Sequence, residues 1–134
     1  MIENDISWMV GGAQGSGVDS AATIFANGCN YAGLYVYGQR EYYSNIMGEH
    51  SYFIVRVNSN PIRSHFNQIN LLTTFDAETI ARHFLTIVDN GGLIYDPNTT
   101  NIKLSDIATF EKRLLDDTET YLKNKGLNNT LDDI

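Results

Sequence analysis

Four glycines fall between residues 11 and 17, in the order Gly11, Gly12, Ala13, Gln14, Gly15, Ser16, Gly17. Glycine has no Cβ, so such a turn lets the main chain approach a phosphate closely, while the free N–H groups of a following helix point at it. Gly12, Gln14, Gly15, Ser16 and Gly17 are therefore candidate binding residues for a phosphorylated ligand. The spacing is neither the Gly-Lys-Ser/Thr of a Walker loop nor the G-x-G-x-x-G of a dinucleotide fold. A tight strand-to-helix turn with no ligand explains the same residues equally well. Asp19, just inside the helix, would repel an anion.

A second concentration of chemistry lies at residues 38–50, which read as a loop. Arg40, Tyr42, Tyr43, Asn45, Glu49 and His50 bring a guanidinium, phenols, an amide, a carboxylate and an imidazole into one short stretch. Such a loop either holds a ligand or forms a wet subunit interface anchored by its tyrosines, and the composition favours the interface. Glu49 and His50 cannot act as an acid–base pair on a strand, because adjacent side chains there point to opposite faces. His65 and His83 read as isolated surface histidines with no ligand at helical spacing. Cys29 is the only cysteine, too few for a disulfide, a structural zinc or an iron–sulfur cluster, and it reads as an inert core thiol. No nucleophile–base arrangement and no metal-ligand set emerges.

The elements that must position these groups follow from periodicity. Residues 6–10 are an apolar strand that breaks into the glycine turn. Beyond it, Val18, Ala21, Ala22, Phe25, Ala26 and Cys29 recur at helical spacing, and Gly28 or Gly33 can end that helix. Strands are expected at 34–37, 51–57 and 70–75, with Asp76 capping a second helix over 77–89 whose inner stripe is Ile80, Phe84, Ile87 and Val88. Asn90, Gly91 and Gly92 read as its left-handed C-cap, ahead of a fifth strand from Leu93. The order β-α-β-β-β-α-β predicts an α/β, three-layer α/β/α sandwich with a mostly parallel sheet and an antiparallel pair around 34–57. The core is expected to span 1–104, a peripheral helix 105–126, and a polar tail 127–134 that reads as a truncation or linker.

Composition narrows the class. The chain has 134 residues, 43% of them hydrophobic and 19% charged, with a net charge of −7, which suits one folded domain. No stretch gathers Lys and Arg into the stripe that nucleic acid or an anionic membrane attracts, so neither partner is expected. Residues 1–7 lack the basic and apolar regions of a secretory signal, and the cytoplasm is the simplest address.

Residues 11–21, with Gly11, Gly12, Gln14, Gly15 and Gly17, followed by residues 42–57, from Tyr42 and Tyr43 through Gly48, Glu49 and His50 to Arg56 and Val57, resemble the gamma domain of 2-oxoacid:ferredoxin oxidoreductases. The likeness runs on through Leu72–Glu78 and Gly91–Asp96, so it covers roughly residues 6–96. Many members carry an Arg-Gly-Gly segment where this chain has Met47, Gly48, Glu49 and His50, a variant similar to members whose gamma region is fused ahead of the alpha region.

The resemblance implies a domain that packs against the alpha and beta regions of an enzyme oxidising 2-oxoacids to acyl-coenzyme A and reducing ferredoxin. It also implies contact with coenzyme A. Thiamine diphosphate, magnesium and iron–sulfur clusters are expected in the partner domains, leaving this domain non-catalytic on its own. A family gamma domain normally extends further than this chain, so exposed apolar surface is expected as well, driving either self-association or binding of the remaining subunit. The competing reading is a free-standing phosphate- or nucleotide-binding module built on the glycine turn.

Overall fold

The structure, a computed structural model, describes residues 4–42, 48–103 and 105. The chain divides into two units, residues 1–101 and 102–134, and the sheet belongs to the first. The expected helix at 105–126, beyond Ser105, and the tail at 127–134 lie outside the described residues.

Strand β1, Ile6–Ala13, forms the centre of the sheet because its apolar residues need cover on both faces: Ser7 through Gly12 are all buried. It pairs antiparallel with β3, His50–Asn58, setting Trp8 opposite Val55, and parallel with β4, Ile69–Thr74, setting Trp8 opposite Leu71. Strand β2, Tyr35–Tyr42, flanks β3, and β5, Ile87–Ile94, flanks β4, giving the order β2-β3-β1-β4-β5. Four strands run one way and β3 alone runs the other. The expected antiparallel pair thus becomes two pairs that share β3. This strand inserts between β2 and β1 because Val55 and Val57, 0% and 1% exposed, belong in a sheet interior.

Alternate residues of β1 point to opposite faces. Trp8 and Val10 meet α1, Val18–Tyr31, which buries Val18 and Ala22 and packs Phe25, Ala26 and Cys29 against them. The Trp8 ring lies 4.6 Å from that of Phe25, and its Nε1 donates to Thr73 Oγ1 at 2.8 Å. Gly33, at φ 85°, follows the end of the helix, while Gly28 lies within it. On the other face, Met9 packs with Ile54, Ile69 and Leu72, and Gly11 faces α2, Ala77–His83. Helices on both faces make three layers.

Two boundaries differ from the reading of the sequence. Strand β2 runs on through Arg40 to Tyr42, so much of the expected 38–50 loop is strand. Helix α2 is shorter than expected: it ends at His83, a 3-10 turn covers Phe84–Thr86, and β5 begins at Ile87. Ile87 and Val88 carry helical spacing from Ile80, but they are β-branched and join the sheet. Gly91 and Gly92 are strand residues, not a helix cap. Ile69 pairs with Ile87 and Leu71 with Gly92, so five steps along β5 match two along β4 and the intervening residues bulge. Asn90 there has φ 62°, and a Cβ on Gly91 would lie 2.9 Å from the Asn70 carbonyl oxygen. A short helix α3, Pro97–Thr100, comes next, capped by Asp96. No helix among the described residues is long and apolar enough to cross a membrane.

Candidate functional site

Strands β1 and β4 are adjacent and parallel, but the chain leaves them in opposite directions. From β1 it passes through α1 to β2 on one side; from β4 it passes through α2, on the other face, to β5. The carboxyl ends of β1 and β4 therefore form a switch point, the place where open α/β sheets accept ligands. The glycine turn lies at the end of β1, with Thr74, Phe75 and Asp76 at the end of β4.

The turn is held by main-chain bonds. Ser16 N donates to Ala13 O at 3.0 Å, Gln14 N to Glu49 O at 2.7 Å, and Gly48 N to Gln14 O at 3.2 Å. Ser51 Oγ donates to Gly12 O at 3.3 Å, and Phe75 N to Gly11 O at 3.0 Å. Gly12 is needed for close approach, because a Cβ would sit 2.8 Å from Ser16 Oγ and 3.1 Å from Phe75 Cβ. Gly17 is needed for conformation: it is the N-cap of α1 at φ 102°, and no side chain caps that end.

A cleft of about 160 Å³ opens at this helix start, lined by Gly15, Gly17, Asp19, Ser20, Arg40 and Ser51. Ligand pockets for whole small molecules hold roughly 300 to 1,000 Å³, so this one suits a single group of phosphate size. Arg40 forms an ion pair with Asp19, and its guanidinium carbon lies 3.8 Å above the Tyr42 ring. The expected repulsion from Asp19 is thus offset by Arg40. An arriving anion would exchange places with the carboxylate, at a cost of at most about 1 kcal/mol for so exposed a pair.

Gly12, Gln14, Gly15, Ser16, Gly17 and Arg40 come together around this end of the sheet, with Glu49 joined through its carbonyl. Tyr42 ends β2 beside Arg40. Tyr43 and Asn45 lie outside the described residues.

His50 departs from the loop reading. It is a strand residue, 2% exposed, and its Nε2 lies 2.9 Å from that of His83. His83 is not the expected surface histidine either, being 6% exposed. The Tyr52 ring lies 4.5 Å from the His83 ring. Burial pushes the His50 imidazole below its ordinary range; burial, with His50 and Arg82 nearby, pushes His83 down to about 4. At neutral pH both rings are uncharged, one donating and one accepting. The signal in the sequence was spacing: Thr79, Ile80 and His83 fall on one inward face of α2. Among the described residues no group of three His, Cys, Asp or Glu could hold a metal ion.

His65 stacks beside Tyr37 at 6.2 Å. Cys29 packs against the core on the inner side of α1, where burial pushes its thiol up, away from the reactive thiolate.

Known proteins resemble this chain along nearly all its length. The family model described as pyruvate ferredoxin/flavodoxin oxidoreductase matches residues 7–128. The chain is 47% identical over 129 residues to the 2-oxoacid:ferredoxin oxidoreductase subunit alpha of Saccharolobus solfataricus, a match covering 96% of this chain and 20% of that one. The chain thus spans about a fifth of the length of such relatives. Among solved structures, the 2-oxoglutarate:ferredoxin oxidoreductase from Magnetococcus marinus, with 2-oxoglutarate, coenzyme A and succinyl-CoA bound, superposes with a TM-score of 0.69 at 23% identity, over 75% of this chain and 18% of that one. The gamma subunit of the keto/oxoacid ferredoxin oxidoreductase from Geobacter sulfurreducens gives 0.64 at 20% identity, over 73% of this chain and 54% of that one. These two share the fold.

Proposed function

We infer the function from one premise: the chain belongs to the pyruvate ferredoxin/flavodoxin oxidoreductase family. On this reading it is a gamma-type, non-catalytic domain of a 2-oxoacid:ferredoxin oxidoreductase, an enzyme that oxidatively decarboxylates a 2-oxoacid with coenzyme A and reduces ferredoxin in the cytoplasm. Its work is to help assemble the alpha and beta regions and to hold a phosphate of coenzyme A. The observation that carries this is the match of nearly the whole chain to one fifth of a subunit bearing that activity's name.

The chemistry of the site supports it. The cleft at the α1 N-terminus offers Arg40, Ser20 and main-chain N–H groups to an anion. By contrast, a single half-buried cysteine does not fit an iron–sulfur cluster, so the redox centres belong to other regions of the enzyme.

The test is ferredoxin reduction, dependent on a 2-oxoacid and coenzyme A, by the enzyme assembled with and without this domain. Activity should be lost on omission; full activity without it refutes the reading. Calorimetric titration with coenzyme A, NAD and ATP tests the alternative of a free-standing nucleotide-binding module. Binding of the isolated chain to NAD or ATP at micromolar strength, about −8 kcal/mol, abolished by Gly15→Val, would favour that module instead.

A further inference from the structure

Helix α1 has an inner stripe, Val18, Ala22, Phe25 and Cys29, that packs on the sheet. The opposite stripe, Ile24, Asn27, Gly28 and Tyr31, recurs at i, i+3, i+4 and i+7 and faces outward, with Ile24 73% and Tyr31 95% exposed. Tyr35, at the start of β2, is also exposed. Residues 20–39 contain no Asp, Glu, Lys or Arg, in a chain that is 19% charged. The solvent face of a surface helix ordinarily carries charge opposite its apolar stripe. Here, from Ser20 to Tyr31, it carries two large hydrophobic side chains, and its polar members, among them Thr23, Asn27 and Asn30, are uncharged; the acidic residue of the helix, Asp19, is in its first turn and pairs with Arg40. Depletion of charge together with exposed tyrosine is the composition of an interface centre. A Cβ on Gly28 would meet nothing, so between Ile24 and Tyr31 the helix surface is a flat strip that another backbone can approach closely.

We propose that this outer face of α1 docks a segment from the remaining four fifths of the fused subunit. The proposal rests on the gamma-domain reading and extends it to a surface away from the glycine turn. Two observations choose this occupant. First, the matched alpha subunit is about five times the length of this chain, so most of that polypeptide lies outside it. The same fold also occurs in a protein named as a separate gamma subunit, and a domain that can serve without a covalent tether must carry its own adhesive surface. Second, each copy of this chain bears a charge of −7, so two copies repel one another, which disfavours self-pairing through the same face.

The experiment replaces Tyr31 with a photoreactive benzoylphenylalanine in the assembled enzyme. Because Tyr31 is almost fully exposed, the substitution leaves folding undisturbed. After irradiation, a cross-link to a peptide of the fused subunit outside this domain is expected. Introducing Gly28→Arg, whose side chain has open space in the free domain, should reduce its yield at least tenfold. A cross-link to a second copy of the domain, a cross-link only within the domain, or none at all overturns the proposal. Ferredoxin reduction measured on the same preparation reports separately on the family function, so failure of one reading is distinguishable from failure of the other.

Discussion

Gly11→Ala should destabilise the protein far more than an alanine usually does, and the cause can be localised to one contact. The new Cβ would lie 2.5 Å from Thr79 Cγ2 and 3.0 Å from Thr79 Oγ1. Thr79 cannot step aside cheaply. It is 0% exposed, its Oγ1 donates to Asp76 Oδ1 at 2.7 Å, and its N–H donates to the same oxygen at 2.8 Å, forming the cap of α2. Overpacking a core costs roughly 1 to 3 kcal/mol, and a displaced hydroxyl forfeits about another 1 kcal/mol. We expect about 2 to 4 kcal/mol, read as a lower midpoint in urea unfolding. Thr79→Ser removes the offending methyl and keeps the hydroxyl. Alone it should cost about 1 kcal/mol for a lost buried methyl, but in the Gly11→Ala background it should be neutral or stabilising. A double-mutant cycle should therefore give a coupling of at least about 1 kcal/mol. Additive effects, or a Gly11→Ala cost under about 0.5 kcal/mol, would refute the idea that α2 sits on β1 through this contact.

Other expectations concern the site and its surroundings. His83 titrates near 4 in the folded chain and near 6.5 when unfolded, so between those values the unfolded chain binds more protons and stability falls as pH is lowered. The loss from pH 7 to pH 4 should approach about 3 kcal/mol at 1.4 kcal/mol per unit, and His83→Gln should flatten the pH dependence of the urea midpoint. Asp76→Ala should cost about 1 kcal/mol through loss of the α2 cap, with Asp76→Ser restoring most of it, as thermal melting would report. In the assembled enzyme, Arg40→Gln should raise the KM for coenzyme A several-fold with kcat unchanged. Asp19→Asn, which frees Arg40, should lower that KM by up to about fivefold, since the pair is worth at most about 1 kcal/mol.

The sequence made α1 legible because its inner stripe is uninterrupted and the glycine turn marks its start. β1, β3 and β4 were legible through β-branched and aromatic runs between turn residues. What it hid were features set by partners distant along the chain. Ile87 and Val88 continue a helical spacing, and only pairing with β4 turns them into strand. Arg40 looked like a loop residue because Gly38 and Gln39 interrupt the apolar pattern, but register with Phe53 carries β2 through it. In the candidate site, the glycines were visible as a local motif. The His50–His83 contact was not, because it joins residues 33 apart whose inward orientation depends on where α2 lands.

The placement of β1 bears on how the domain comes into being. This strand is synthesised before any of its neighbours, yet its two partners begin at residues 50 and 69. A nascent chain must therefore carry an oily segment with one open edge until residue 74 has emerged from the ribosome. Such delayed, non-local closure places folding toward the slow end, roughly milliseconds to seconds, and makes the waiting segment a natural client for chaperones.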